Sequence, residues 1–138
     1  MLVKTILAFD FGTKSIGVAI GQQLTKTAYA LNALIAKNGV ANINEVAELM
    51  SNWQPNLLVV GLPLNMDGTK QPITNKAQIF ANYLRNYFNI PVEMQDERLS
   101  TIEAYATLFE KSGYRGLNKQ KVDSQAAVII LQDWFNEN

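Results

Sequence analysis

The segment that most constrains this chain runs from Ile6 to Gly21, an apolar run, an acid, a short turn and a second apolar run. Ile6 to Phe9 is continuously apolar, which suits a strand covered on both faces; a carboxylate is costly in such a strand unless it stands at the end or finds a partner. Asp10 stands at that end. Gly12 and Thr13 follow, and from Ser15 to Gly21 the bulky Ile16, Val18 and Ile20 alternate with Gly17, Ala19 and Gly21. Side chains alternate across a strand, so one face there is smooth enough for close approach. The segment predicts a β-hairpin, entered at Leu2, with an acid at its rim. An ordinary turn Asp beside Gly12 is the plainer role, and the segment alone leaves both open.

A strand covered on both faces needs helices on each side, and the rest of the chain supplies them. Thr27 to Ile35 reads as a third strand. After a polar turn around Lys37 to Gly39, the helical spacing of Ile43, Val46, Ala47, Met50 and Trp53 predicts an amphipathic helix with its stripe in the core. Leu57 to Leu64 is again continuously apolar and predicts a buried strand, broken by Gly61 and Pro63; a strand after a helix implies a parallel crossover. Asn65 to Pro72 leaves that strand where open α/β sheets hold ligands, although Asp67-Gly68 is also a common turn pair. Thr74 to Phe88 predicts a second helix, with Ala77, Ala81, Leu84 and Phe88 on one face and Lys76 and Arg85 elsewhere. Pro91 to Met94 is a short strand. Val122 to Phe135 is the last helix, and Asp123, Ala127, Ile130 and Trp134 fall on one stripe of it.

Composition narrows the chemistry. The 138 residues are 48% hydrophobic and 17% charged, which fits one domain over 1–138 with a real core. Twelve basic residues balance twelve acidic ones, so any surface for a polyanion must be local. There is no Cys and no His. That removes thiol and imidazole nucleophiles, imidazole acid-base catalysis, zinc sites and disulfides, and leaves carboxylates, Lys, Tyr, Ser and Thr. Met1-Leu2-Val3-Lys4 has no basic and then apolar leader pattern, and no apolar run approaches the ~18 residues of a membrane span. A soluble, cytoplasmic protein without membrane contact is expected.

The second acidic cluster is Gln95-Asp96-Glu97-Arg98-Leu99-Ser100-Thr101. Ser100 with Glu103, ahead of Ile102, Tyr105, Leu108 and Phe109, is a capping-box signature, so Glu103 is structural. Asp96 and Glu97 precede the cap and point opposite ways in an extended chain. One of them can face the Asp10 rim. Arg98 neutralises the other or meets a substrate phosphate. From Lys111 to Lys121, a stretch with Lys111, Tyr114, Arg115, Lys119 and Lys121 reads as a basic arm, either a solvated loop or a phosphate contact with Tyr114 free to stack. Asp123 begins the last helix, where the macrodipole also favours an anion. Asp10, one acid of the Asp96-Glu97 pair and Asp123 each stand at the end of an element and can converge. Three carboxylates repel unless cations lie among them, and a donor set of oxygens alone suits Mg²⁺ or Mn²⁺. Two such ions can drive phosphodiester hydrolysis with no His.

Four segments also carry a resemblance: Ala8 to Ala19, Val60 to Thr69, Asp96 to Thr101 and Lys121 to Ala127 resemble, in order, the signature blocks of the YqgF/RuvX family. The resemblance implies an RNase H-like α/β fold, a mixed five-stranded sheet with its first three strands antiparallel, flanked by helices. It implies a metal-dependent nuclease with Mg²⁺ or Mn²⁺, its catalytic acids and metal ligands being Asp10, Glu97 and Asp123. Thr13, Lys14, Arg98, Lys111, Arg115, Lys119 and Lys121 are the candidates for substrate contact. The implied work is maturation of the 5′ end of pre-16S ribosomal RNA, with pre-ribosomal particles as partners, or cleavage of Holliday junctions, by a monomer or weak homodimer. One departure counts against junctions: RuvC-type resolvases carry an acid on the fourth strand, and Leu57 to Leu64 has none.

Two rivals come from other classes. Asp-x-Gly-Thr after a first strand also resembles the phosphate hairpin of actin-like ATPases and sugar kinases, but those need two such domains, and no G-x-x-x-x-G-K-[ST] loop offers another ATP site. The other is a nucleic-acid-binding module of ribosome assembly that cuts nothing.

Overall fold

In the computed structural model of this chain the described residues are 4–97 and 119–138, and side chains of the second segment are described from Ser124 onward. The expected capping box at Ser100 and Glu103, together with Arg98, Lys111, Tyr114 and Arg115, lies outside the described residues. Six strands form one sheet: β1 (Thr5–Asp10), β2 (Ser15–Gln22), β3 (Thr27–Lys37), β4 (Val40–Ala41), β5 (Leu57–Leu62) and β6 (Val92–Asp96). The helices are α1 (Ile43–Trp53), α2 (Pro72–Phe88) and α3 (Lys119–Glu137).

The strand order is β4-β3-β2-β1-β5-β6. β1, β2 and β3 run antiparallel, while β5 joins β1 and β6 joins β5 in parallel. The architecture is the mixed, helix-flanked sheet that the sequence predicts, with one addition. The turn at Lys37 to Gly39 returns as the two-residue β4, which pairs with Ala36 and Lys37 and makes a sixth strand.

The two faces of the sheet are sorted by the alternation of β1. Leu7, Phe9 and Phe11 go to one side, with Ile16, Val18, Ile20, Leu58 and Val60, and pack on Val46 of α1 and on Ala77, Phe80, Ala81 and Leu84 of α2. Ile6 and Ala8 go to the other, with Ala19 and Val59, and pack on Ala127, Ile130, Leu131, Trp134 and Phe135 of α3. A doubly covered strand has no face left for polar residues, which is why β1 and β5 read as unbroken apolar runs.

α3 lies close to the sheet because the face beneath it is small. A Cβ on Gly21 would come within 2.8 Å of Leu131 Cδ2 and 2.6 Å of the Thr27 carbonyl oxygen. The helix is pinned at both ends. Ser124 Oγ donates to the Leu31 carbonyl, Trp134 Nε1 donates to Glu93 Oε1 at 3.0 Å, and Gln95 Nε2 donates to Glu137 Oε2 at 2.8 Å.

Three expectations are corrected. α1 buries only Val46 among its residues, and Trp53 is 41% exposed, so the stripe is shallower than its spacing suggests. α3 starts at Lys119, so Lys119 and Lys121 belong to a helix and not to a loose arm. Gly61 lies inside β5 and does not break it. Among the described residues no helix is long and apolar enough to cross a membrane.

Gly21→Val should lower stability by about 1–3 kcal/mol through overpacking under α3, read as an earlier urea midpoint with the slope unchanged. An unshifted midpoint would mean that α3 has room to move away.

Candidate active site

Alternation decides which acids meet. Asp10 follows Ile6 and Ala8 on β1 and so faces the α3 side, opposite Gly17 of β2, where the β2–β3 register shifts between Ile16 and Val18. Such irregularities re-aim side chains and are common beside active sites. On β6, Glu93 and Gln95 both bond α3, which puts Glu97 on that face and Asp96 on the other. Glu97 therefore joins Asp10, and its own amide donates to the Leu62 carbonyl at 3.3 Å, extending the β5–β6 ladder by one residue.

The Glu97 carboxyl sits over Gly61. A Cβ at position 61 would collide with Glu97 Oε2 and would stand 2.7 Å from Ile130 Cδ1. The missing side chain is thus what admits the acid between β5 and α3. The sequence pattern marks Gly61 as a strand break, but a glycine inside an otherwise apolar strand is equally the sign of close approach.

Oε2 of Glu97 is buried and has no hydrogen-bond partner among the described residues. Burial is the largest cause that pushes Glu97 up from the ordinary 4.5 to about 10; the Asp10 charge, the hydrogen bond with the Asp10 carboxyl and the Asp96 charge add to it. One proton held between two adjoining carboxyls is the expected resting state when no cation is near.

The third expected acid, Asp123, falls in α3 one residue before Ser124. Ser124 is tied to Leu31, which pairs with Val18, itself opposite Phe9. The start of α3 thus crosses the sheet at the level of the β1 end. The side chains of Asp123, Lys119 and Lys121 lie outside the description. Among the described residues no group of three acids is gathered.

Thr13 and Lys14 occupy the β1–β2 turn. Their carbonyls accept from Gly39 N and Ala36 N, each at 2.9 Å, and the Lys14 side chain is exposed. Gly12 is required by that turn, since a Cβ there would strike the Ser15 carbonyl oxygen. Within the loop after β5, Asp67 Oδ1 accepts from Thr69 N at 2.9 Å and Thr69 Oγ1 at 2.6 Å, and Gly68 takes φ 89°. This is the turn role of Asp67-Gly68.

The family model described as "RuvX: Holliday junction resolvase" matches residues 4–137. Proteins named "Putative pre-16S rRNA nuclease" from Yersinia pestis (strain Pestoides F) and Yersinia pseudotuberculosis (serotype O:1b, strain IP 31758) are 59% identical over 137 residues, covering 99% of this chain and 98% of theirs. Among solved structures, Thermus thermophilus RuvC in complex with Holliday junction substrate superposes with TM-score 0.57 at 15% identity, over 97% of this chain and 94% of that one. The fowlpox virus Holliday junction resolvase gives TM-score 0.59 at 15% identity, over 97% and 99%. These two likenesses show that the chain shares the RNase H-like fold of those proteins.

Because Glu97 keeps its proton to about pH 10 when folded but releases it near 4.5 when unfolded, stability should fall as pH rises through that interval. In chelator, urea midpoints of the wild type should decline from pH 5 to pH 9, and Glu97→Gln, which cannot ionise, should flatten the decline. Parallel declines in both proteins would remove Glu97 as the cause.

Proposed function

This chain belongs to the RuvX family of nucleases, and we propose that it hydrolyses phosphodiester bonds of pre-16S ribosomal RNA at the 5′ end, with a divalent cation held by Asp10, Glu97 and Asp123. The observation that carries this reading is the pairing of Asp10 with Glu97, whose Oε2 is buried and unpartnered above Gly61. Two acids pressed together, one of them buried, repel each other, and a hard cation, which takes oxygen ligands, repays that repulsion. The donor set fits Mg²⁺ or Mn²⁺, since the chain has neither Cys nor His. Such an ion supplies activation of water and stabilisation of charge on the phosphate.

The chain's own residues do the rest. Glu97 and Asp10 surrender their shared proton when the cation enters, so affinity for the ion rises with pH. Gly61 and Ile130 fix the Glu97 carboxyl from below and from the helix side. Asp123, which α3 carries in its second turn and not at its start, is the third ligand of the reading. Lys14, exposed on the rim turn, is available to a substrate phosphate. Lys119 and Lys121, with Arg98, Lys111 and Arg115, extend the basic side of the site in the sequence.

The choice of RNA rests on the names of the 59% identical relatives, whose lengths this chain matches almost end to end. Pre-ribosomal particles are the matching partner. Holliday junctions are the second reading, favoured by the family description; the absence of an acid from Leu57–Leu62 of β5 counts against them.

Asp10→Asn, Glu97→Gln and Asp123→Asn should each reduce Mg²⁺- or Mn²⁺-dependent cleavage by roughly 10³-fold, the scale of several kcal/mol of lost charge stabilisation, with folding retained. Gly61→Ala should do the same while every acid remains. Cleavage is to be mapped on a 5′-extended 16S precursor, a four-way DNA junction and single strands. Full activity in Glu97→Gln with loss in Asp96→Asn would reverse the assignment of the second acid, and cutting confined to the junction would replace the substrate.

A further inference from the structure

Across the sheet from the acids, at the same rim, lies a cleft of about 370 Å³. Phe11, one residue after Asp10 and on the opposite face, forms its inner wall with Phe80 of α2. Those two rings stand 5.5 Å apart and both are buried. Ile79 and Tyr83 form the outer wall and are 67% and 44% exposed, and Lys76 joins them in the lining. Gly39, at φ 81°, keeps the cleft open beside Phe11, because a Cβ there would lie 3.1 Å from Phe11 Cζ. Beyond the cleft the apolar stripe continues along α2 to Tyr87, 59% exposed, whose ring lies 5.6 Å from that of Tyr83 at 30°.

Such a stripe on a helix marks a contact surface, and its charge identifies the contact. Among the described residues no acid lines the cleft, and α2 carries Lys76 and Arg85 with no Asp or Glu from Pro72 to Phe88. Arg85 is exposed and donates to the Val92 carbonyl at 3.0 Å and to Asn82 Oδ1, while Lys76, also exposed, lines the cleft. Of the four lysines in residues 4–41, Lys4 and Lys26 lie at the far end of the strands, and Lys14 and Lys37 lie at the end that carries the cleft. Lys14 and Lys37 are exposed on two turns joined by the Gly39-to-Thr13 hydrogen bond, next to the cleft. Asp10, next to Phe11 in the chain, lies on the opposite face, and Glu45 and Glu48 on α1 are not among the lining residues. Thus, although the whole chain is neutral, Lys76 lines the cleft and Lys14 and Lys37 stand exposed beside it. Two copies of α2 facing each other would bring like charges together with no acid on either helix, which disfavours self-association through this face.

We propose that the cleft and the Ile79-Tyr83-Tyr87 stripe bind an unpaired segment of the nucleic-acid substrate, one base entering against Phe11, Phe80 and Tyr83 while Lys76 meets a neighbouring phosphate. The site takes single-stranded nucleotides by stacking and charge, without reading a sequence. It rests on the reading that this chain acts on nucleic acid and adds to it the substrate class: a strand unpaired beside the bond to be cut. Because Asp10 and Phe11 are consecutive residues on opposite faces, a strand that crosses the β1–β2 turn is the shortest path from the acids to the cleft.

The test is fluorescence anisotropy of a labelled single-stranded oligonucleotide in chelator, where nothing is cut, with a blunt hairpin duplex of the same sequence for comparison. Tyr83→Ala and Lys76→Ala should each weaken single-strand binding by about 10-fold, leave duplex binding within about twofold and leave the melting temperature unchanged. Tyr83→Phe, which keeps the ring, should bind as the wild type. Equal affinities of Tyr83→Ala and wild type for single strands would overturn the proposal. So would a Tyr83→Ala protein that changed only its sedimentation, which would give the face to a second copy. A chain that cuts no substrate yet shows these binding losses would defeat the nuclease reading and leave the strand site standing; intact cleavage with unaltered binding would do the reverse.

Discussion

The contact between the Asp10 and Glu97 carboxyls is the one that the rest of the molecule has to accommodate. Left alone it is unfavourable: Glu97 is buried, faces one negative charge directly and feels that of Asp96, and is driven to about 10 in consequence. Two carboxyls from chain positions 87 residues apart do not meet in such a place by default. Their meeting needs β1 and β6 to end at the same level, β5 to lie between them with no side chain at Gly61, and α3 to close over the top with Ile130. Each is a feature of the backbone, so the site is built by the sheet's register before any side chain is chosen.

That register also separates two kinds of surface. In a covered sheet adjacent residues belong to different layers, and the chain uses this at each strand end. Asp10 and Glu97 face α3, whereas Phe11 and Asp96 turn to the layer of α1 and α2. The acidic chemistry and the aromatic cleft are therefore close along the chain but insulated from each other by the sheet. A residue slip in β1 would exchange Asp10 with Phe9 or Phe11, burying an acid in the larger core and exposing a ring to the site. The heavy apolar packing of β1 against both layers is what makes such a slip costly.

How far the sequence announces this depends on how local the cause is. The strands, α1, α2 and the last helix follow from periodicities of two and 3.6, and the alternation of Asp96 with Glu97 is visible as soon as the strand is recognised. The Asp67-Gly68 turn is likewise a local matter, closed by Asp67 and Thr69. β4 was hidden because two residues carry no period and pair only through the turn geometry at Asn38 and Gly39, both at positive φ. The start of α3 at Lys119 was hidden by a polar, lysine-rich stretch that looks like a loop. Trp53 looked like core from its spacing, but α1 lies at the margin of the sheet and buries little beyond Val46. Gly61 is the instructive case: its role depends on Glu97, 36 residues away, and no local pattern carries that.

The choice of acid over other chemistries is tied to the same geometry. With no His or Cys, the chain has no imidazole or thiol to share a proton with Glu97 in place of Asp10. A base such as Lys in that position would satisfy Oε2, lower its pKa and stabilise the fold, and would close the site to a cation. The lysines in residues 4–41, by contrast, carry exposed side chains at Lys4, Lys14, Lys26 and Lys37, and none is buried beside the acids. Lys14 and Lys37 stand exposed at the same end of the sheet as the acids, so a phosphate approaching the acids meets cations on the outside. A neutral chain can thus approach a polyanion and still hold an unsatisfied negative site at the point of contact.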